Sequence, residues 1–156
     1  VASDAVFEHL QNINDCLLEI KRVLKKGGVL YSTFGPLWFS FGGDHISGND
    51  NIKNGYNHIT LNKNDYKSYL DSFGKYNHDE NDGRTWIENN LFSYLKTEEY
   101  LEILKENKFK KNYLILILEP KAYIFRKMFK PAFENLSNSH SIENLLITGV
   151  SIIYEK

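Results

Sequence analysis

Apolar residues recur at helical and strand periods along the first 35 residues of the chain. Five of them are spaced three, four or one apart, as the buried face of a helix requires: Ile13, Leu17, Ile20, Val23 and Leu24. Residues 29–34 are rich in apolar, β-branched and aromatic side chains, which predicts a mostly buried strand. Gly35 and Pro36 end this strand.

The same periodicities predict the later elements of the chain. Helices are expected near residues 64–73, from Thr97 to about Asn107 and over 121–129, with a short helix or turn within 86–94. Apolar runs predict strands over 113–118 and 144–154. The order of these elements indicates an α/β fold with three strands.

Two long polar segments interrupt this pattern and are predicted to cover a substrate. They comprise residues 35–60 and residues 74–95. Long connections without regular structure are uncommon in compact domains and are often functional.

Composition and charge narrow the functional classes. The chain has 156 residues, 19 basic and 20 acidic side chains and one cysteine. This length predicts a single domain, and one cysteine excludes a disulfide framework or a multi-cysteine zinc site. The balanced charge argues against nucleic acid as a partner. The chain opens with neither a basic and apolar signal segment nor an apolar run long enough to span a membrane, so we expect a cytoplasmic protein.

The only methionine of the chain is Met128, and the first residue is Val1. We therefore expect the chain to lack its translation start.

The first 34 residues carry a recognisable pattern. A segment with a Glu-His pair, Glu8 and His9, is followed by a helix that ends in the sequence RVLKKGG and then by the strand over 29–34. This pattern resembles the second half of a class I S-adenosylmethionine-dependent methyltransferase, a Rossmann-like fold. The resemblance implies a mixed sheet whose last strands are antiparallel and flanked by helices.

The resemblance also implies where the cofactor binds. In that family a glycine-rich turn after the first strand and an acidic residue after the second hold S-adenosylmethionine. No Gly-x-Gly occurs in this sequence. We therefore expect residues 1–156 to be the C-terminal portion of the domain, with S-adenosylmethionine bound mainly by upstream residues. Ala2, Ser3 and Asp4 would form the remaining edge of that site.

The family pattern points to candidate residues for the methyl acceptor, a small molecule or a glycan- or lipid-linked compound. His9 and His45 are candidate catalytic bases, since a hydroxyl acceptor must lose a proton during methyl transfer. Five residues are candidates for substrate binding: Glu8, Trp38, Phe41, Asp44 and Tyr56. Some relatives bind a metal through a glutamate three residues before the Glu-His pair, but Ala5 occupies that position, so no metal is predicted.

Two other interpretations remain open. The chain could be a non-catalytic half-domain that forms a homodimer through an exposed sheet edge near residues 1–10 and 29–34. The basic and aromatic segment 121–133 could instead lie on a membrane surface or hold a lipid-linked substrate.

Overall fold

The computed structural model describes residues 1–73 and 83–156, which form a four-stranded mixed sheet flanked by helices. The strands are β1 (Ala2–Asp4), β2 (Val29–Phe34), β3 (Lys110–Leu118) and β4 (Ile147–Glu155), in the order β1-β2-β4-β3. β1 and β2 are parallel, whereas β4 is antiparallel to both of its neighbours. The predicted α/β class and antiparallel last strands are confirmed. The prediction of three strands was wrong, because the first residues of the chain pair with β2.

Helices connect and cover the strands. They are α1 (Ile13–Val23), α2 (Asn57–Thr60), α3 (Lys63–Ser72), α4 (Gly83–Glu88), α5 (Thr97–Glu106), α6 (Pro120–Met128), α7 (Lys130–Ser137) and α8 (Ile142–Leu146). Two short 3-10 turns span Phe7–His9 and Ile52–Asn54.

The last apolar run divides between two elements, where one strand was predicted. Residues 144–146 belong to α8, and β4 begins only at Ile147. Ser141 caps α8 by accepting a hydrogen bond from the Asn144 backbone N–H at 3.2 Å, which favours a helical turn there. Leu145 is fully buried by this turn.

The main hydrophobic core lies between one face of the sheet and helices α1 and α5. Along β2, Leu30, Ser32 and Phe34 are buried, whereas Val29 and Tyr31 are 40% and 44% exposed. This alternation follows the period of two that places successive strand residues on opposite faces. Leu17 of α1 and Leu104 of α5 complete the buried layer.

A second hydrophobic cluster lies beyond the carboxyl end of β2, between the segment 35–60 and helices α6 to α8. Its aromatic centre comprises Phe41, Tyr56 and Phe125, with Tyr56 and Phe125 ring centroids 4.9 Å apart. The Tyr56 hydroxyl donates a hydrogen bond to the Leu145 carbonyl at 2.7 Å. The segment 35–60 is therefore a packed unit that contains α2 and a 3-10 turn. Of the second predicted covering segment, residues 74–82 lie outside the described residues.

β1 and β3 are the two edges of the sheet. β3 is exposed along most of its length, including Tyr113, Ile115 and Ile117 at 42%, 43% and 39%. Homodimerisation through a sheet edge stays a prediction. Within the two described ranges, no helix has the length and apolar character that crossing a bilayer needs.

Candidate functional site

The carboxyl ends of the parallel strands β1 and β2 open into a pocket of about 280 Å³. Crevices at this end of parallel strands are where open α/β sheets bind ligands. It is lined by Asp4 and Ala5 at the end of β1, by Phe34 and Gly35 at the end of β2, and by Thr148 of β4. Gly35 has φ +139°, and a Cβ atom built on it would lie 2.3 Å from the Thr148 carbonyl oxygen. Only glycine fits this position without a shift of the backbone.

A second pocket of about 270 Å³ adjoins the first, and both are lined by Pro36 and Thr148. His45 lines the second pocket together with Glu119 and Lys121 at the start of α6. The candidate site thus extends from the strand ends towards α6.

The structure brings His9 and His45 together from positions 36 residues apart. Their rings are stacked, with centroids 5.3 Å apart. Trp86 packs edge-on against both, at centroid distances of 4.4 Å from His9 and 4.7 Å from His45. Phe92 contacts the pair at 5.1 and 5.6 Å. The two candidate bases therefore share one aromatic enclosure.

A single hydrogen bond fixes which nitrogen of His9 carries the proton. Its Nδ1 lies 2.7 Å from the Leu91 carbonyl oxygen, and a carbonyl can only accept, so Nδ1 is protonated. In the neutral ring the lone pair is then on Nε2. That nitrogen is buried and has no hydrogen-bond partner among residues 1–73 and 83–156. An imidazole held in one tautomer with a free Nε2 has the form of a general base.

His45 is held as a neutral ring. Burial and, to a smaller extent, the nearby His9 lower its pKa to about 4, although Asp44 opposes the shift. The backbone of His45 is left-handed, with φ +66°, and its N–H donates to the Gly42 carbonyl at 2.8 Å. Above its pKa the ring can accept a hydrogen bond but is a weak proton acceptor.

Asp44 stabilises the loop that carries His45. Its carboxylate accepts hydrogen bonds from the Ser47 N–H and hydroxyl, both at 2.7 Å, and from the Tyr66 hydroxyl at 2.6 Å. The pKa of Asp44 is lowered despite burial, because the hydrogen bonds from Ser47 and Tyr66 stabilise the carboxylate. The carboxylate oxygens are occupied within the chain, which gives Asp44 a structural role here.

His58 faces Asp44 across 3.8 Å, measured from Nδ1 to Oδ1. Its Nε2 lies 2.7 Å from the Trp38 carbonyl oxygen and therefore carries a proton. Because burial lowers the pKa of His58, the ring is neutral at neutral pH and the contact is not an ion pair.

Glu8 is 1% exposed and lies on the 3-10 turn beside His9. Burial raises its pKa to about 7, although the backbone amides of Glu8 and Gly35 oppose the shift. The Glu8 carbonyl accepts a hydrogen bond from the Ser93 N–H at 2.9 Å, which fixes the segment with Phe92 against this turn. The side chain is thus enclosed by the protein and does not face either pocket.

The other predicted residues occupy different surroundings. Trp38 joins the aromatic enclosure through Phe92, at a centroid distance of 4.8 Å. Phe41 and Tyr56 pack in the second cluster, and Phe41 also lines the pocket with His45.

All three residues that were predicted to form the edge of the cofactor site belong to strand β1. Asp4 lines the first pocket, Ala2 is exposed, and the Ser3 hydroxyl is buried.

Sequence reasoning missed several parts of this site. Trp86 follows a polar segment, and no periodicity relates it or Phe92 to His9. The Leu91 carbonyl that orients His9 has no sequence signature at all. Thr148 lies within the predicted strand over 144–154, and nothing in the sequence predicts that it lines a pocket.

Metal binding finds no support in the described ranges. In them, no group of three or more His, Cys, Asp and Glu side chains is placed to hold a metal ion.

Comparison with known proteins finds a similarity over the first fifth of the chain. Residues 1–32 match the family model described as a methyltransferase domain. The matched part comprises β1, the Glu8-His9 turn, α1 and the first half of β2. Together with the mixed α/β sheet, this match supports a class I S-adenosylmethionine-dependent methyltransferase-like domain. A search of the curated proteins found no match to the chain.

The first pocket provides a test of how the described residues fit S-adenosylmethionine. Its volume is smaller than the roughly 300–1,000 Å³ of typical ligand pockets, so it fits one end of such a ligand. Asp4 and Ala5 would contact that end, and the missing side chain of Gly35 leaves room beside them. The lining of this pocket is therefore compatible with one end of such a ligand.

Proposed function

We propose that the protein transfers a methyl group from S-adenosylmethionine to a hydroxyl oxygen of a small molecule, with His9 as the general base. The observation that carries this proposal is the oriented His9 ring, which stacks on His45 of the second pocket in a methyltransferase-like domain. S-adenosylmethionine supplies the electrophilic methyl group when it is bound.

The described residues have distinct tasks in this proposal. Nε2 of His9 accepts the proton of the acceptor hydroxyl, and its Nδ1–H remains on the Leu91 carbonyl. The neutral His45 ring accepts a hydrogen bond and orients the acceptor. Trp86 and Phe92 exclude water, so that water does not compete with His9 for the hydrogen bond of the acceptor hydroxyl. The second pocket holds the acceptor, while Asp44 and Tyr56 keep its walls in place.

The experiment uses the full-length protein. Titration calorimetry measures binding of S-adenosylmethionine, and release of S-adenosylhomocysteine reports turnover with a panel of phenols, sugars and hydroxy acids. We expect His9→Gln to retain cofactor binding but to lower turnover by about 10²–10⁴-fold, the range for loss of a general base.

His140→Gln is the matched control, because His140 packs on Phe39 outside the enclosure. It should leave turnover within about twofold of the wild type, below the effect of any lost catalytic group. A folded protein that does not bind S-adenosylmethionine would refute the proposed function. An equal loss of turnover in both variants would refute the role of His9 as general base but not the proposed methyl transfer.

A further inference from the structure

The outer face of α6 is apolar where an ordinary surface helix is polar. The inner face of the helix packs into the second cluster through Ala122 and Phe125, which are 0% and 4% exposed. On the opposite side, Tyr123, Ile124 and Met128 are 51%, 39% and 66% exposed. Surface helices of globular proteins normally place charged or polar side chains on that side.

Basic residues surround this apolar face. Residues 120–133 contain four cations and no acidic residue, although the whole chain has a net charge of −1. The cations are Lys121, Arg126, Lys127 and Lys130. Three of them line an open groove of about 660 Å³ between α6 and α7. Among the described residues of its lining the acidic side chain is Glu134, whose carboxylate lies 3.8 Å from the Lys130 amine. The groove is therefore positively charged as well as partly apolar.

Two of these cations lie against aromatic rings. The Lys127 amine is 4.6 Å from the centroid of Tyr123, and the Arg126 guanidinium is 5.5 Å from that of Phe133. Long basic side chains that lie along apolar surface can keep their charge at the level of lipid headgroups while neighbouring residues enter the acyl region. Nucleic acid would match the charge but would not use the exposed Ile124 and Met128.

We propose that α6 and the adjoining groove dock on an anionic membrane surface. Tyr123, Ile124 and Met128 enter the boundary between headgroups and acyl chains, and Arg126, Lys127 and Lys130 bind lipid phosphates. Lys121, at the first turn of α6, lines the pocket that contains His45. Docking through α6 therefore brings that pocket close to the membrane surface.

Vesicle flotation of the full-length protein tests this inference. The vesicles are phosphatidylcholine alone or phosphatidylcholine mixed with phosphatidylglycerol, at low and high salt. We expect at least about tenfold tighter binding to the anionic vesicles, with the difference weakened by salt. Removing three charges with Arg126→Gln, Lys127→Gln and Lys130→Gln should weaken binding roughly 100-fold, since each basic residue contributes about fivefold. The pair Ile124→Ser and Met128→Ser should weaken it at least about tenfold.

Matched controls separate this surface from general charge and hydrophobicity. The triple variant Lys63→Gln, Lys67→Gln and Lys105→Gln removes the same charge from exposed positions on α3 and α5. The pair Leu18→Ser and Val23→Ser removes exposed apolar side chains, 52% and 53% exposed, from α1. Both should bind as the wild type does, and circular dichroism should show that all four variants are folded.

Three results would overturn the proposal. The first is a wild-type protein that does not float with anionic vesicles. The second is a control variant that loses as much binding as its counterpart on α6. The third is a protein that does not bind vesicles but sediments as a dimer, together with a double variant Ile124→Ser and Met128→Ser that sediments as a monomer. In that case the face of α6 binds a second copy of the chain.

Discussion

The carboxyl group of Glu8 makes folding depend on pH in a direction opposite to that of most acidic side chains. Burial raises its pKa to about 7, from an ordinary value of 4.5. The folded protein therefore holds a proton that the unfolded chain releases between about pH 4.5 and 7, so the free energy of unfolding falls as pH rises through this window.

We expect Glu8→Gln to remove this contribution, because a glutamine side chain is neutral at every pH. We compare the free energy of unfolding of the variant with that of the wild type at each pH. This difference should favour the variant by on the order of 3 kcal/mol more at pH 8 than at pH 4.5. Urea unfolding of both proteins across this range measures the change. The lowered pKa of His45 makes the free energy of unfolding rise between pH 4 and 6.5. Because this effect is present in both proteins, subtracting the wild-type curve removes it.

Glu102→Gln on α5 is the matched control for Glu8, since Glu102 is exposed. Its difference from the wild type should stay constant with pH. Parallel curves for both variants would show that the Glu8 carboxyl ionises normally in the folded protein.

Single residues also show how far the sequence could predict the site. His9 could be found because it belongs to the Glu-His pair of the family pattern, and His45 because it lies in the long segment after the predicted strand over 29–34. Their mutual stacking could not, since it depends on Trp86 and Phe92 and on a backbone carbonyl. The substrate-binding role predicted for Asp44 remains a prediction, and the structure shows its oxygens bound to Ser47 and Tyr66.

At the scale of elements, the cap of α3 supports the loop that carries His45. The Asn62 side chain accepts hydrogen bonds from the N–H groups of Asn64 and Asp65, both at 3.0 Å. Tyr66, one turn further, donates its hydroxyl to Asp44 at 2.6 Å. The cap therefore stabilises a helix whose next turn holds the loop.

We expect Asn62→Ala to lower the free energy of unfolding by about 1 kcal/mol, because two backbone N–H groups lose their acceptor. Asn64→Ala makes the same chemical change two residues later, inside the helix, and should be neutral to within about 0.5 kcal/mol. Urea denaturation of both variants measures the effect. Equal losses would mean that Asn62 does not act as a cap.

Elements with strong periodicity were predicted well, and those decided by tertiary contacts were not. The helical spacing from Ile13 and the apolar run from Val29 predict α1 and β2 with bounds close to the observed ones. The run from Asn144 was ambiguous, because a short apolar segment suits either a strand or a buried helical turn. Pairing of β1 with β2 could not be seen in three residues of sequence.

At the scale of the whole molecule, most of the buried apolar side chains that the structure describes belong to one of two clusters. One lies under the sheet, and the other joins the segment 35–60 to helices α6 to α8. Phe125 is central to the second, with Phe41 at 6.4 Å and Tyr56 at 4.9 Å between ring centroids.

Phe125→Ala should lower the free energy of unfolding by about 3–5 kcal/mol, through lost burial and a cavity that the cluster cannot fill. Hydrogen exchange should quicken most in residues 41–60 and 120–146, and least in β2 and β4. Its neighbour Ile124 is the control, since Ile124→Ala truncates a side chain that is 39% exposed and should cost under about 1 kcal/mol. Uniform loss of protection across the sheet would contradict two separable clusters.

The separation of the two clusters has a consequence for how such a protein can diverge. Among the described residues, no buried side chain belongs to both clusters. Phe41, which lines the pocket around His45, belongs to the second cluster, whereas Leu30 and Phe34 of β2 belong to the first. Substitutions within the second cluster can therefore alter that wall of the pocket while the apolar layer under β2 keeps its packing.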